Sequence, residues 1–254
     1  MKAPFRAPSQ SLSVVIPAFN EERRLDATLE TLLAYLGPRS ALEVIVVDDG
    51  SADGTATLVD RWARSDDRVR SSGGRPHRGK GHAVRSGFLA ANGDLVLVSD
   101  ADLSTPIEEL ELLEAALGRG ADIAIASRAL PSSRLLVRQP RYRELGGRLL
   151  NAAIQRLAVP GIQDTQCGFK LFARLATRRC FERQRLDGFG YDVEVLYIAR
   201  SLKLRIAEVP VRWRHDPDSK VRPLVDGMRL LIDLMRIRVA AARGLYRGAV
   251  ERAT

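Results

Sequence analysis

The sequence predicts an α/β fold with a mainly parallel central sheet flanked by helices, and three observations carry that prediction. Short apolar runs without alternation recur at residues 12–17, 42–47, 95–98 and 123–126, the pattern of strands buried on both faces. Segments of helical spacing lie at 24–36, 54–63, 79–91 and 107–117, and strand alternating with helix in this way indicates βαβ units. Each of the first three runs leads directly into a polar cluster, and ligands of such sheets bind beyond the carboxyl ends of the strands.

The second half is less regular. It reads as a basic stretch at 128–148, a helix near 148–157, a turn-rich segment at 160–170, a helix at 192–202, and short strands at 206–209 and 211–213. A long helix follows from Leu224 to about Tyr246. Leu224, Met228, Leu231, Ile232, Met235 and Val239 recur along it at helical spacing, while Arg229, Asp233, Arg236 and Arg243 fall on other sides, which makes it amphipathic. Its apolar face is expected to pack on the domain; its basic end, with Arg236, Arg238, Arg243 and Arg247, offers a contact for anionic lipid. The expected organisation is a disordered lead-in at 1–11, one domain at 12–222, and an amphipathic helix with a basic tail at 223–254, without repeats.

Composition bounds the function. A chain of 254 residues, 45% hydrophobic and 28% charged, holds one sizeable core. Forty basic against thirty-one acidic side chains give +9, which favours an anionic partner: nucleic acid, acidic lipid headgroups or a phosphorylated substrate. Aromatic residues at 6% and scattered basic residues argue against nucleic acid. Cys167 and Cys180 lack C-x-x-C spacing and only three histidines accompany them, so neither a disulfide framework nor a zinc site is indicated, and a reduced, cytoplasmic setting fits. No uncharged apolar run reaches the ~18 residues of a membrane span, and no signal-peptide core follows the basic N-terminus. Membrane contact is therefore expected to be peripheral.

The polar clusters are Pro17-Ala18-Phe19-Asn20-Glu21-Glu22, Asp48-Asp49-Gly50-Ser51 and Ser99-Asp100-Ala101-Asp102. Any one of them is accounted for by helix capping; three at one sheet edge point to a site. Asp100 and Asp102, one residue apart, face the same way in an extended segment and can share a hard cation such as Mg²⁺ or Mn²⁺. Such a cation acts as a Lewis acid towards a departing diphosphate. Gly79-Lys80-Gly81-His82 opens a helix after a glycine- and arginine-rich loop, and helix N-termini and lysine both suit phosphate, although this is not a Walker loop. Between residues 128 and 148 stand six arginines, Arg128, Arg134, Arg138, Arg141, Arg143 and Arg148, against the single acid Glu144. They read as a solvated face or as a phosphate clamp. A phosphate monoester, with a second pKa of about 6, is a dianion that needs no general base.

With these residues in view, the sequence resembles glycosyltransferase family 2, of the GT-A fold. The motifs are Val15-Ile16-Pro17-Ala18-Phe19-Asn20-Glu21-Glu22, Val46-Val47-Asp48-Asp49-Gly50-Ser51 with Asp53 and Thr55, Gly79-Lys80-Gly81, and Asp100-Ala101-Asp102. Further motifs run through Asp164-Thr165-Gln166-Cys167-Gly168-Phe169-Lys170, Gly190-Tyr191-Asp192-Val193-Glu194, Glu208-Val209-Pro210-Val211-Arg212-Trp213 and Asp218-Ser219-Lys220. That series is more similar to the dolichyl-phosphate β-glucosyltransferase branch and polyprenyl-phosphate glycosyltransferases than to the mannosyl branch.

The resemblance implies an inverting transferase that moves glucose from UDP-glucose to a polyprenyl phosphate, peripheral on the cytoplasmic face of the membrane. It places Pro17, Asn20, Glu21 and Asp49, with Asp48 beside it, in the nucleotide pocket. Asp100 and Asp102 would hold the metal and the donor diphosphate, with Lys80 near the donor. Arg128, with Arg141, falls near the acceptor phosphate, and Lys220 near either phosphate. Asp164 and Gln166 correspond to sugar and acceptor contacts, and Asp192 and Glu194 to the helix-start carboxylates that serve as bases in some members. Eukaryotic glucosyl enzymes carry an N-terminal membrane helix that this sequence lacks, which widens the acceptor class beyond dolichol. Open alternatives are a GDP-mannose or UDP-N-acetylhexosamine donor, a soluble phosphorylated acceptor, a non-catalytic sensor and a nucleic-acid-binding module.

Overall fold

The computed structural model describes residues 10–39, 41–137, 141–216 and 223–246. Nine strands occur among them: β1 (Leu12–Ala18), β2 (Leu42–Asp48), β3 (Val69–Gly73), β4 (Leu95–Ser99), β5 (Ile123–Ser127), β6 (Arg134–Val137), β7 (Phe169–Ala173), β8 (Ile206–Pro210) and β9 (Arg212–Arg214). The helices are α1 (Leu25–Leu36), α2 (Thr55–Ser65), α3 (Lys80–Ala90), α4 (Leu110–Gly118), α5 (Arg141–Leu157), α6 (Arg174–Arg183), α7 (Tyr191–Ser201) and α8 (Pro223–Ala242). Seven strands form one sheet in the order β3-β2-β1-β4-β7-β5-β8, and β6 pairs with β9 in a two-stranded ribbon. This is the GT-A-like architecture, and the apolar runs expected as strands are β1, β2, β4 and β5.

One strand runs against the others. β7 is antiparallel to both β4 and β5, with Phe169 opposite Ser99 and Ala173 opposite Leu95. A parallel strand delivers the residues that follow it to the carboxyl edge of the sheet. An antiparallel strand delivers the residues that precede it, and so the segment ending at Gly168 reaches the same edge as Asp100.

Because side chains alternate along a strand, β1 and β2 feed two cores. Val15, Ile45 and Val47 join Val84, Phe88, Phe181 and Leu196 on one face of the sheet. Val14, Ile16, Val44 and Val46 join Leu29, Leu32 and Leu113 on the other. Phe88 stacks on Phe181 at 3.7 Å and meets Phe172 edge-on at 5.8 Å, a geometry that adds to simple burial. Cys167 and Cys180 are buried and free, as small packing groups.

The C-terminal helix corrects an expectation. α8 contacts α5 and α7 through Leu230, Leu234, Ile237 and Ala240, whereas Met228, Leu231, Ile232, Met235 and Val239 are exposed. Leu230, Leu234 and Ile237 are also spaced three and four apart, so the helix carries two apolar stripes and spacing does not choose between them. Among the described residues no helix is long and apolar enough to cross a membrane. Ser11, at the end of the expected lead-in, exchanges hydrogen bonds with Asp94, its hydroxyl donating at 2.8 Å; residues 1–9 lie outside the described residues, as do Arg138, Lys220 and Arg247.

Candidate active site

The carboxyl ends of β1 and β2 are tied to one another by their own polar side chains. After β1, Asn20 takes a positive φ of 55°, which its short amide side chain tolerates. Its N–H donates to Ser51 Oγ at 2.9 Å, and its Oδ1 accepts from Ala52 N–H at 2.8 Å. Glu21 donates its N–H to Thr55 Oγ1 at 2.8 Å, and its carboxylate pairs with Arg24, which also reaches Asp216. Asp48 accepts from Ser51 N–H at 3.0 Å. Pro17, opposite Val47, precedes this crossing point.

Asp49 is committed to a loop. Its carboxylate accepts from Arg78 N–H at 3.0 Å and Gly79 N–H at 2.7 Å, and His77 Nδ1 lies 2.7 Å away. The His77 ring stacks on Phe19 at 4.1 Å. This fastens the glycine-rich loop over β2 and aims the start of α3 along the sheet edge. Gly79 has φ 122°, and a Cβ there would lie 2.5 Å from Asp187 O, so only glycine fits.

Lys80, the next residue, reaches across to β4, where its Nζ lies 2.6 Å from Asp100 Oδ1 and 6.0 Å from the Phe189 ring centre. Burial alone would lower the Lys80 pKa, but the charges of Asp100, Asp192 and Asp102 outweigh it and raise the value. Asp102 is shifted upwards by burial first and then by the neighbouring Asp100 charge, against the hydrogen bond from Ser104 N–H at 2.8 Å. The charge of Asp100 thus acts on Asp102, two residues along the chain. Asp100 is seated on Gly168, where a Cβ would come within 1.9 Å of its Oδ2.

A second cluster lies beside the first. Arg128, just after β5, forms a fork with Asp164: Nε to Oδ2 at 2.7 Å and Nη2 to Oδ1 at 2.8 Å. The guanidinium also lies 5.3 Å from the Trp213 ring centre, and Nη1 takes no part in the fork. Burial opposes the charge of Asp164, yet Arg128 holds its carboxyl below the usual range. Asp164 accepts as well from Gln166 N–H at 3.3 Å, and its own N–H donates to Glu208 Oε1 at 2.8 Å. The segment from Asp164 leads to Gly168, whose carbonyl accepts from Asp100 N–H at 3.0 Å, so the two clusters are neighbours at the sheet edge.

The helix-start carboxylates are engaged elsewhere. Asp192 is buried, with its Oδ1 2.5 Å from Lys170 Nζ, which also donates to Cys167 O at 2.6 Å. Glu194 accepts from Arg185 and Leu186 N–H at 2.9 and 2.8 Å and from the Tyr246 hydroxyl at 2.6 Å. These bonds tie Glu194 into the fold. Of the arginines in the basic stretch, Arg128 is in the fork and Arg134 is exposed on β6, while Arg138 and the side chains of Arg141, Arg143 and Arg148 lie outside the described residues. Lys170, Gly168 and His77 carried no role in the sequence reading. Lys170 had a signal, a lone cation inside the apolar run Phe169–Ala173.

A GT-A-like sheet with carboxylates after β4, a lysine facing Asp100 and an arginine fork alongside points to the glycosyltransferases. The family model described as "Glycosyl transferase family 2" matches residues 13–181, and the chain belongs to that family. It is 36% identical over 255 residues to dolichyl-phosphate beta-glucosyltransferase of Homo sapiens, covering 95% of this chain and 79% of the relative. The enzyme of the same description from Drosophila melanogaster is 38% identical, with 95% and 78% covered. Among solved structures, glucosyl-3-phosphoglycerate synthase from Mycobacterium tuberculosis, in complex with Mn²⁺, UDP and glucosyl-3-phosphoglycerate, superposes with a TM-score of 0.64 at 22% identity, covering 90% of this chain and 80% of that one. At that identity the likeness concerns the fold.

Proposed function

We propose that this chain transfers glucose, with inversion, from UDP-glucose to a polyprenyl, dolichyl-like phosphate at the cytoplasmic face of a membrane, to which it binds peripherally. The observation that carries the reading is the convergence of Asp100, Asp102 and Lys80 beside the Arg128–Asp164 fork: one set suited to a diphosphate, the other to a second phosphorylated molecule. Similarity along nearly the whole chain to dolichyl-phosphate beta-glucosyltransferases supports the choice of sugar and acceptor.

Asp100 and Asp102 fit a divalent cation, Mg²⁺ or Mn²⁺, by their hard oxygen donors, and burial followed by the Asp100 charge raises the Asp102 pKa. Two carboxylates would leave the remaining coordination places to phosphate oxygens and water. Such a cation supplies Lewis-acid stabilisation of the leaving diphosphate. Lys80, held by Asp100 and Phe189 at the N-terminus of α3, adds a positive charge and a helix end at the same place. Arg128 Nη1, outside the fork, is available to an acceptor phosphate oxygen, while Asp164 and Trp213 fix the guanidinium plane.

The acceptor phosphate, a dianion at neutral pH, attacks the anomeric carbon as the carbon–oxygen bond to UDP breaks. No proton is removed in that step, so Asp192 acts by position: it is paired with Lys170 and helps to set the charge at Lys80. Positioning and electrostatics supply the rate. Product mass spectrometry from a panel of sugar nucleotides with short-chain polyprenyl phosphate and Mn²⁺ tests the reading. Glucosyl transfer from UDP-glucose is expected; transfer only to a soluble phosphorylated acceptor overturns the lipid assignment.

A further inference from the structure

α8 has two apolar faces, and the outer one is uncovered among the described residues. Met228 is 65% exposed, Met235 57%, Ile232 52% and Val239 46%. With Leu231 they form one stripe at spacings of three and four residues, opposite the buried Leu230, Leu234 and Ile237. A soluble helix turns one such stripe inwards and covers the rest with polar groups. Here every exposed residue described between 225 and 245 is either apolar or arginine.

The arginines edge the stripe. Arg229, Arg236 and Arg243 recur every seventh residue along one side, and Arg238 stands on the other. The acids of the helix lie behind them: Asp226 and Asp233 are 13% and 12% exposed, while their partners Arg229 and Arg236 are 74% and 68% exposed. An apolar stripe between rows of guanidinium groups is the arrangement of a helix lying in the headgroup region of an anionic bilayer. A second copy of the chain fits less well, since a symmetric contact would set these rows of like charge against each other.

The inner face of α8 reaches the site. The Asp233 carboxylate packs on Gly190, where a Cβ would lie 2.5 Å from its Oδ2. Gly190 stands between Phe189, beside Lys80, and Asp192, paired with Lys170. Tyr246, just beyond the helix, binds Glu194 and accepts from Arg183. A surface that holds α8 therefore also holds the rim of the candidate active site.

We propose that the outer face of α8, built from Met228, Leu231, Ile232, Met235 and Val239 between Arg229, Arg236, Arg243 and Arg238, is the docking surface for an anionic lipid bilayer and sets the Phe189–Asp192 rim against it. This rests on the lipid-phosphate reading for its purpose, and its test is separable from that reading. The full chain is floated with phosphatidylcholine vesicles with and without phosphatidylglycerol, and turnover is measured separately on detergent-dispersed short-chain polyprenyl phosphate. The chain floats with the anionic vesicles. The triple variant Met228→Glu, Ile232→Glu, Met235→Glu binds them at least about tenfold more weakly, with an unchanged melting curve and unchanged turnover in detergent.

Neutralising Arg229, Arg236 and Arg243 to Gln weakens binding by about fivefold per residue at low salt, which keeps the test decisive if the glutamate variant fails to fold. Equal flotation of wild type and both variants overturns the docking face. So does a stable dimer by light scattering that the glutamate variant dissociates, with no vesicle binding by the wild type. Flotation without turnover overturns the reaction and leaves the docking surface standing.

Discussion

Lys80 Nζ lies 2.6 Å from Asp100 Oδ1, so a carboxylate suited to a cation already faces a fixed positive charge. The pairing spans two elements: the lysine begins α3, and the aspartate follows β4. It is oriented by Gly79, which alone tolerates the approach of Asp187 O, and by Gly168, which leaves room for the Asp100 carboxylate. In the proposed reaction Lys80 would face the leaving diphosphate, where a preorganised donor is typically worth about 10²–10³ in rate. Lys80→Ala is expected to lower kcat/KM for UDP-glucose by that factor with the fold retained; steady-state kinetics within threefold of wild type would remove the lysine from the mechanism.

Asp102 carries a pH signature. Its folded-state pKa is raised by burial and by Asp100, so the folded chain holds that proton more tightly than the unfolded chain. The resulting stabilisation is complete below about pH 4 and is lost as pH rises through the folded value. At neutral pH the ionised carboxylate is thus a cost to the fold that a bound cation relieves. Asp102→Asn is expected to melt no lower than wild type without metal, to lose the upward shift in Tm that Mn²⁺ gives wild type, and to lose transfer. A full Mn²⁺ shift in the variant would place the cation elsewhere.

Gly168→Ala tests the seat of Asp100 without touching a charge. The added Cβ falls 1.9 Å from Asp100 Oδ2 and 2.6 Å from Oδ1, so the flexible carboxylate must move, at little cost to the fold. Activity and metal response should fall together towards those of Asp100→Asn, with Tm within a few degrees of wild type. Normal turnover would mean that the carboxylate position is not critical.

How much of this was legible depends on strand direction. The carboxylates after β2 and β4 were readable because parallel strands put the residues that follow them at the site edge. The segment 160–168 read as turns and is built of turns and bends, whereas β7 was missed because its run, Phe169–Ala173, is short and contains the polar Lys170. Motif resemblance placed Asp164, but its fork with Arg128 joins residues 36 positions apart, a pairing that no local pattern encodes. α6 was missed because its sequence, Arg174–Arg183, is dominated by arginine and shows a weak apolar stripe of Thr177, Cys180 and Phe181. On α8 the stripe was seen and its direction was not, since spacing alone does not say which of two apolar faces finds a partner.

The buried pair Lys170–Asp192 separates a positioning role from a catalytic one. Both side chains are 3% exposed, at 2.5 Å, with Cys167 O as a further acceptor for the ammonium. Removing one member of such a pair leaves a buried charge and typically costs about 3–5 kcal/mol, whereas replacing both with apolar groups of similar volume is often neutral. Asp192→Leu and Lys170→Met alone should each lower stability by that amount in denaturant titration, and the double variant should recover most of it. If Asp192 were the base that accepts a proton in transfer, the double variant would be inactive even where it folds as well as wild type. A positioning residue instead predicts that kcat returns to within about tenfold of wild type, with a flat pH profile above about pH 7, where the phosphate nucleophile, with a second pKa of about 6, already brings no proton to be removed.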